Sequence, residues 1–395
     1  MKSFRATRSL LGVVPVVNED VSYIAPVKVG KQTFRLVVDT GSSNTWVGAG
    51  TPYTPGPTAT KDGRPVAVKY GSGSFSGEQY TDTVMIGNLT AKNQSISVAS
   101  WSYGFEGTDG ILGVGPVALT KGTITDSENT TIPTIMETLT RQHVIERNVL
   151  GAYFQPILSA NATEANGELS FGGPDPTRYT GQITYAKITS DPLYGDYWGI
   201  DVGKVSYGNS SLAQAVPAIV DTGTTLTYLP SSAFRTFLTV AEGGIDRWSG
   251  LPTFSSKPTQ NITFVIANRS FTLTPEQYLV PPARYSIFGL NSVQWYAWFA
   301  DGGGAGGVNF IIGQKTLEQL YSVYDVTNKR LGLAYARPKP GRSQSHSQPG
   351  SGSGSGSQDP ISAPSASTSS ASRTIMGSQL LGLGITFVLC SIYVA

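Results

Sequence analysis

The chain has 395 residues, with 46 Gly, 24 Pro, 39% hydrophobic and only 14% charged residues. That length can bury a large core, and the glycine and proline content suits an all-β protein of many short strands and turns. The formal net charge is +2, but Lys2, Arg5, Arg8, Lys339, Arg342 and Arg373 sit at the ends, so residues 12–337 hold 22 basic and 25 acidic side chains, a net of −3. That leaves no basic face for nucleic acid. His143 and His346 are the only histidines and Cys390 the only cysteine. Neither a zinc site nor a Ser-His-Asp triad has the ligands it needs, and no intrachain disulfide can form.

Residues 1–11 are basic and lack an apolar stretch of signal-peptide length, so the mature protein is expected to begin near Val13. From Tyr23 to Val38 the pattern reads as two strands around a turn at Gly30-Lys31, the second delivering Asp39. Residues 50–64 read as a Pro/Thr/Gly surface loop, and Val66–Gly77 as a hairpin with a Gly-rich tip. Strands follow at 78–87 and 94–100, then Asp109-Gly110-Ile111-Leu112-Gly113. Thr131 to Leu139 reads as a short amphipathic helix, with Thr131 as cap and Pro133 in the first turn, and His143 as a surface helix residue. The first half ends at Gly167–Gly173. The order of motifs then repeats: strands, Asp221-Thr222-Gly223, a helix from Ser231, strands at 261–266 and 270–273, and Ile311-Ile312-Gly313. This is a duplicated half, not a short-period solenoid, and it implies two lobes with a cleft between them. Residues 302–307 read as a mobile Gly-rich loop at the cleft rim.

Two stretches carry chemistry. Val37-Val38-Asp39-Thr40-Gly41-Ser42 and Ile219-Val220-Asp221-Thr222-Gly223-Thr224 each place a carboxylate at the tip of a β-branched strand, with hydroxyl side chains beside it. If the halves bring them together, the two carboxylates cannot both ionise and must hold one proton between them. Such a pair acts as general base and general acid at once on water and a peptide bond.

The two motifs resemble the catalytic loops of pepsin-like aspartic endopeptidases. The likeness runs from about Val13 to Arg337, and Tyr70–Gly77, Asp109–Pro116 and Tyr321–Leu333 are most similar to the secreted fungal polyporopepsin type. The resemblance implies an all-β, bilobal pepsin-like fold with a few short helices. It makes Asp39 and Asp221 catalytic and Tyr70, Gly71 and Ser72 the flap that closes over an extended substrate. It makes Thr40, Gly41, Ser42, Trp46, Thr222, Gly223 and Thr224 supporting residues: Ser42 bonds Asp39, Thr224 takes the equivalent place, and Trp46 backs the flap. It also implies polypeptide substrates, apolar side chains flanking the scissile bond, an acid optimum, no metal and no cofactor, and a monomer. Residues 1–12 are then the basic end of a propeptide or a truncated start.

Seven Asn-x-[Ser/Thr] sequons, at Asn88, Asn93, Asn129, Asn161, Asn209, Asn261 and Asn268, are candidate glycan sites in a secreted chain. The expected organisation is a lobe over 13–178, a lobe over 179–337, a Ser/Gly/Pro-rich stalk over 338–374 and an apolar segment over 375–395. That last segment has no charge and no basic residue after it, which fits a GPI-attachment signal cleaved near Ser369 to Ser372 better than a retained membrane helix. The sequence therefore reads as an aspartic endopeptidase tethered outside the cell. The rivals are a silent pepsin-fold binding protein, disfavoured by intact Asp, Gly and flap Tyr, and a cell-wall adhesion protein.

Overall fold

The computed structural model describes residues 11–338 except 126, 128, 161, 162, 305 and 306. The expectations for the N-terminal segment, the stalk, the apolar tail and Asn161 therefore lie outside the described residues, as does the middle of the 302–307 loop. The fold is bilobal and mostly β, with sheets of 13, seven and three strands.

Alternating burial explains the strands. Gly12–Asn18 and Tyr23–Val29 turn Val14, Val16, Tyr23, Ala25, Val27 and Val29 inward, all at most 1% exposed, while Val13, Pro15 and Lys28 face out. The expected hairpin is present: Tyr23–Val29 pairs antiparallel with Gln32–Asp39, and Gly30 takes φ +57° at the turn. Gly110–Gly113 then runs parallel to Leu36–Asp39. The second half repeats this arrangement, with Ile311–Ile312 parallel to Ile219–Val220.

One run of six antiparallel strands belongs to both halves. Its order is Tyr179–Lys187, Arg330–Ala336, Leu320–Asp325, Val149–Tyr153, Glu164–Phe171 and Gly12–Asn18. Leu320–Asp325, from the second half of the duplicated region, pairs with Val149–Tyr153 from the first. The sequence carries no local signal for that pairing, because each strand reads only as an apolar run.

Four local expectations need correction. The loop expected over 50–64 is shorter, because a strand already begins at Thr60 and runs to Lys69. The strands expected at 78–87 and 94–100 are parts of two longer ones, Ser74–Ile86 and Leu89–Tyr103; Ser and Thr broke the apolar alternation, but cross-strand bonding overrode it. The helix is Ile135–Arg141, capped by Thr134 and not Thr131. Thr134 is the residue with Glu137 three places on, which forms the reciprocal capping box, and Pro133 falls before the cap. His143 lies just past this helix, exposed and with φ +55°, so it is not a helix residue. Among the described residues no helix is long and apolar enough to cross a membrane.

Candidate active site

Each Asp-Thr-Gly follows a fully buried strand end. Val38 and Val220 are 0% exposed, and so are Asp39 and Asp221. Backbone bonds hold both strand ends against the neighbouring parallel strand: Val114 N donates to Asp39 O at 2.8 Å, and Asp221 N to Ile312 O at 3.1 Å.

The two carboxylates have matched surroundings. Gly41 N donates to Asp39 Oδ1 at 2.8 Å, and Gly223 N donates to Asp221 Oδ1 at 2.8 Å. The Ser42 hydroxyl donates to Asp39 Oδ2. Thr224 Oγ1 donates to Asp221 Oδ2 at 2.5 Å. The loops also touch one another: a Cβ added at Gly41 would lie 2.5 Å from Asp221 Oδ2, so only glycine allows this approach. Burial first, and the neighbouring Asp221 charge second, raise the Asp39 carboxyl well above its ordinary range, against the lowering pull of the Ser42 hydroxyl.

Thr40 and Thr222 lock the loops crosswise. Thr40 N donates to Thr222 Oγ1 at 3.1 Å and Thr222 N to Thr40 Oγ1 at 3.0 Å. Each hydroxyl in turn donates to the opposite strand, Thr222 to Val38 O at 2.9 Å and Thr40 to Val220 O at 3.3 Å. All four groups are buried, where such bonds are costly to leave unmade, so the lock fixes the carboxylates' relative position.

The hairpin of Thr60–Lys69 and Ser74–Ile86 carries Tyr70, Gly71 and Ser72 at its tip. Tyr70 N donates to Gly73 O at 2.7 Å, closing the turn. Gly71 is exposed and Ser72 half-buried, while Tyr70 is buried. The Tyr70 ring meets Phe105 edge-on at 5.4 Å. Trp46 stacks on Phe75 at 4.3 Å and meets Phe105 edge-on at 4.9 Å. Trp46 thus packs against the base of the hairpin.

The sequence reading did not single out Phe75, Phe105, Val21 or Thr225. Phe75 and Phe105 complete the aromatic cluster under the hairpin. Thr225 Oγ1 donates to Val21 O at 2.7 Å, tying the second loop to a turn of the first half. The doubled threonine at 224–225 was the available signal for Thr225; nothing in local sequence marks Phe105. Among the described residues no three His, Cys, Asp or Glu side chains converge as a metal site requires.

A family model described as eukaryotic aspartyl protease matches residues 22–336. Polyporopepsin of Irpex lacteus is 45% identical over 331 residues, spanning 82% of this chain and 96% of that one. Gastricsin of Cavia porcellus is 30% identical over 346 residues, 82% of each chain. The crystal structure of aspartic proteinase from Irpex lacteus matches the fold with a TM-score of 0.79 at 43% identity, covering 82% of this chain and 97% of its own. On this family match, and with duplicated Asp-Thr-Gly loops meeting in one buried site, the chain belongs to the eukaryotic aspartyl protease family and is an aspartic endopeptidase.

Proposed function

We propose that Asp39 and Asp221 are the catalytic pair of this endopeptidase and share one proton. The ionised member takes a proton from a water held between them, and the protonated member gives its proton to the scissile carbonyl oxygen. The resulting gem-diol collapses with proton transfer to the leaving nitrogen, without an acyl-enzyme. Tyr70, Gly71 and Ser72 close over the extended peptide and exclude water. Thr40, Gly41, Ser42, Trp46, Thr222, Gly223 and Thr224 hold this machinery in place. The observation that carries the reading is the place of Gly41 between the two carboxylates: its amide bonds one, and the other fills the space that a Cβ on it would need. An acid optimum follows, because activity ends when the shared proton is lost. Apolar side chains beside the scissile bond suit the aromatic cluster of Tyr70, Phe75 and Phe105.

The test is cleavage of a denatured protein at acid pH. Asp39→Asn and Asp221→Asn should each lose at least about 10³-fold in kcat, since the pair supplies both base and acid, with unchanged circular dichroism. Near wild-type cleavage by either variant sinks the assignment.

The same reading places the enzyme outside the cell as two catalytic lobes, 13–178 and 179–337, on a stalk with a GPI anchor. Its support is the uncharged apolar run over 375–395 after a Ser/Gly/Pro-rich stretch, and the sequons. Asn88, Asn93, Asn129, Asn209, Asn261 and Asn268 are all exposed, so each can carry a glycan without unpacking the core. Phosphatidylinositol-specific phospholipase should release the protein from membranes; retention after treatment rejects the anchor.

A further inference from the structure

Three buried polar atoms away from the carboxylates border one small cavity. Asn148 Oδ1 and Trp198 Nε1 are shielded from solvent and make no hydrogen bond within the protein; the Tyr324 hydroxyl, shielded with them, has the hydroxyls of Thr40 and Ser322 beside its oxygen, which leaves its own O–H to be placed. Trp198 is 2% exposed and Tyr324 is 1% exposed. Their rings meet edge-on at 5.3 Å. All three residues line a cavity of about 10 Å³. Buried donors and acceptors in native proteins are matched by protein groups or by ordered water, so two orphans and a tyrosine O–H around one cavity call for a common partner.

The atoms select that partner. Trp198 Nε1 only donates, and a tyrosine hydroxyl both donates and accepts. Asn148 presents either an acceptor or a donor, according to the orientation of its amide. A bare cation is repelled by the indole N–H, and an ammonium ion cannot accept from it. A carboxylate or phosphate does not fit in a space of this size. One water molecule supplies two donors and two acceptors and fills about this volume. Burial raises the Tyr324 hydroxyl far above its usual titration range, so it remains a neutral donor at any working pH.

We infer that a single structural water binds between Trp198 and Tyr324, reaching Asn148, and ties both catalytic loops to the sheet shared by the two halves. Its place in the fold gives it that role. The Trp198 carbonyl accepts from Val220 N at 3.0 Å, one residue before Asp221. Val114 and Gly115 line the same cavity. They donate to Asp39 O and Ser42 O, each at 2.8 Å. Tyr324 lies on Leu320–Asp325 and Asn148 just before Val149–Tyr153, two paired strands of the shared sheet. The Tyr324 oxygen also neighbours the hydroxyls of Thr40 and Ser322.

A crystal structure of the enzyme at about 1.5 Å tests this directly. The expected result is density for one water within about 3.2 Å of both Trp198 Nε1 and the Tyr324 oxygen. A dry cavity, or a water reaching only one of them, overturns the proposal. If crystals are not obtained, Trp198→Phe, Tyr324→Phe and the double variant are melted. Each single variant should lower Tm by about 2–4 °C. The double variant should lose clearly less than the sum, because either substitution strips the same water of a partner. Additive losses, or a neutral single variant, overturn it. Both readouts are independent of turnover, so their failure leaves the carboxylate assignment standing.

Discussion

At the scale of single residues, the site depends on two facts about Asp39: what stands beside it, and how its proton is held. Gly41→Ala puts a methyl 2.5 Å from Asp221 Oδ2, so the loops must separate. Displacements of about 1 Å cost on the order of 10²-fold in rate; kcat for peptide cleavage should fall by about that factor while far-UV circular dichroism is unchanged. The proton makes a separate prediction. An Asp raised in the fold holds its proton to higher pH than in the unfolded chain. Between the two values the native state binds more protons, and stability falls as pH rises. Asp39→Asn removes this dependence. The variant's Tm advantage over wild type should therefore be smallest below the ordinary carboxylate range and grow as pH climbs through the raised value. A constant difference between the two melting profiles would contradict the shared-proton picture.

At the scale of elements, the hairpin that carries Tyr70 and the helix of the first lobe each have a testable support. Phe75 is 1% exposed and sandwiched between Trp46 and the hairpin tip. Phe75→Leu keeps a buried side chain but loses the stack, which contributes about 0.5–1.5 kcal/mol beyond area. Its effect should fall on KM for a long peptide, with a several-fold rise, more than on kcat. Equal changes in both would mean that the cluster serves the carboxylates rather than the proposed flap. For the helix, Thr134→Ala should cost about 1 kcal/mol in urea unfolding and Thr131→Ala less than about 0.5 kcal/mol. The difference measures the capping box seen at Thr134 and Glu137. The helix was legible in sequence because Ile135, Met136 and Leu139 share one buried face. Its start was ambiguous because three threonines precede it and each is a competent cap.

At the scale of the whole molecule, the halves are joined by buried charge as well as by the shared sheet. Arg284, 1% exposed, pairs with Asp20 of the first half and donates Nη1 to Ser159 O at 2.9 Å. Nearby, Lys315 Nζ bonds Glu318 Oε1 at 3.0 Å, and Asn18 Nδ2 reaches the same oxygen at 3.2 Å. Gln314 Nε2 donates to Asp20 O at 3.0 Å. Removing one partner strands a buried charge, so Arg284→Ala should cost about 3–5 kcal/mol in denaturant unfolding at unchanged m-value. A loss below about 1 kcal/mol would show that the pair is solvated in solution. This junction was invisible in sequence: Arg284 belongs to no recognisable motif, and its partner is more than 260 positions away. By itself, the order of residues determined the duplicated halves, the strand that delivers each Asp-Thr-Gly, the hairpin that carries Tyr70 and the family, because all of these are written in periodicity and short motifs. Only the tertiary structure decided the crossed Thr40–Thr222 lock, the Gly41 approach to Asp221, the aromatic cluster under the hairpin and the sheet spanning both halves. Those are contacts between residues distant along the chain, and whether distant groups meet is settled by packing and backbone pairing, which no local pattern encodes.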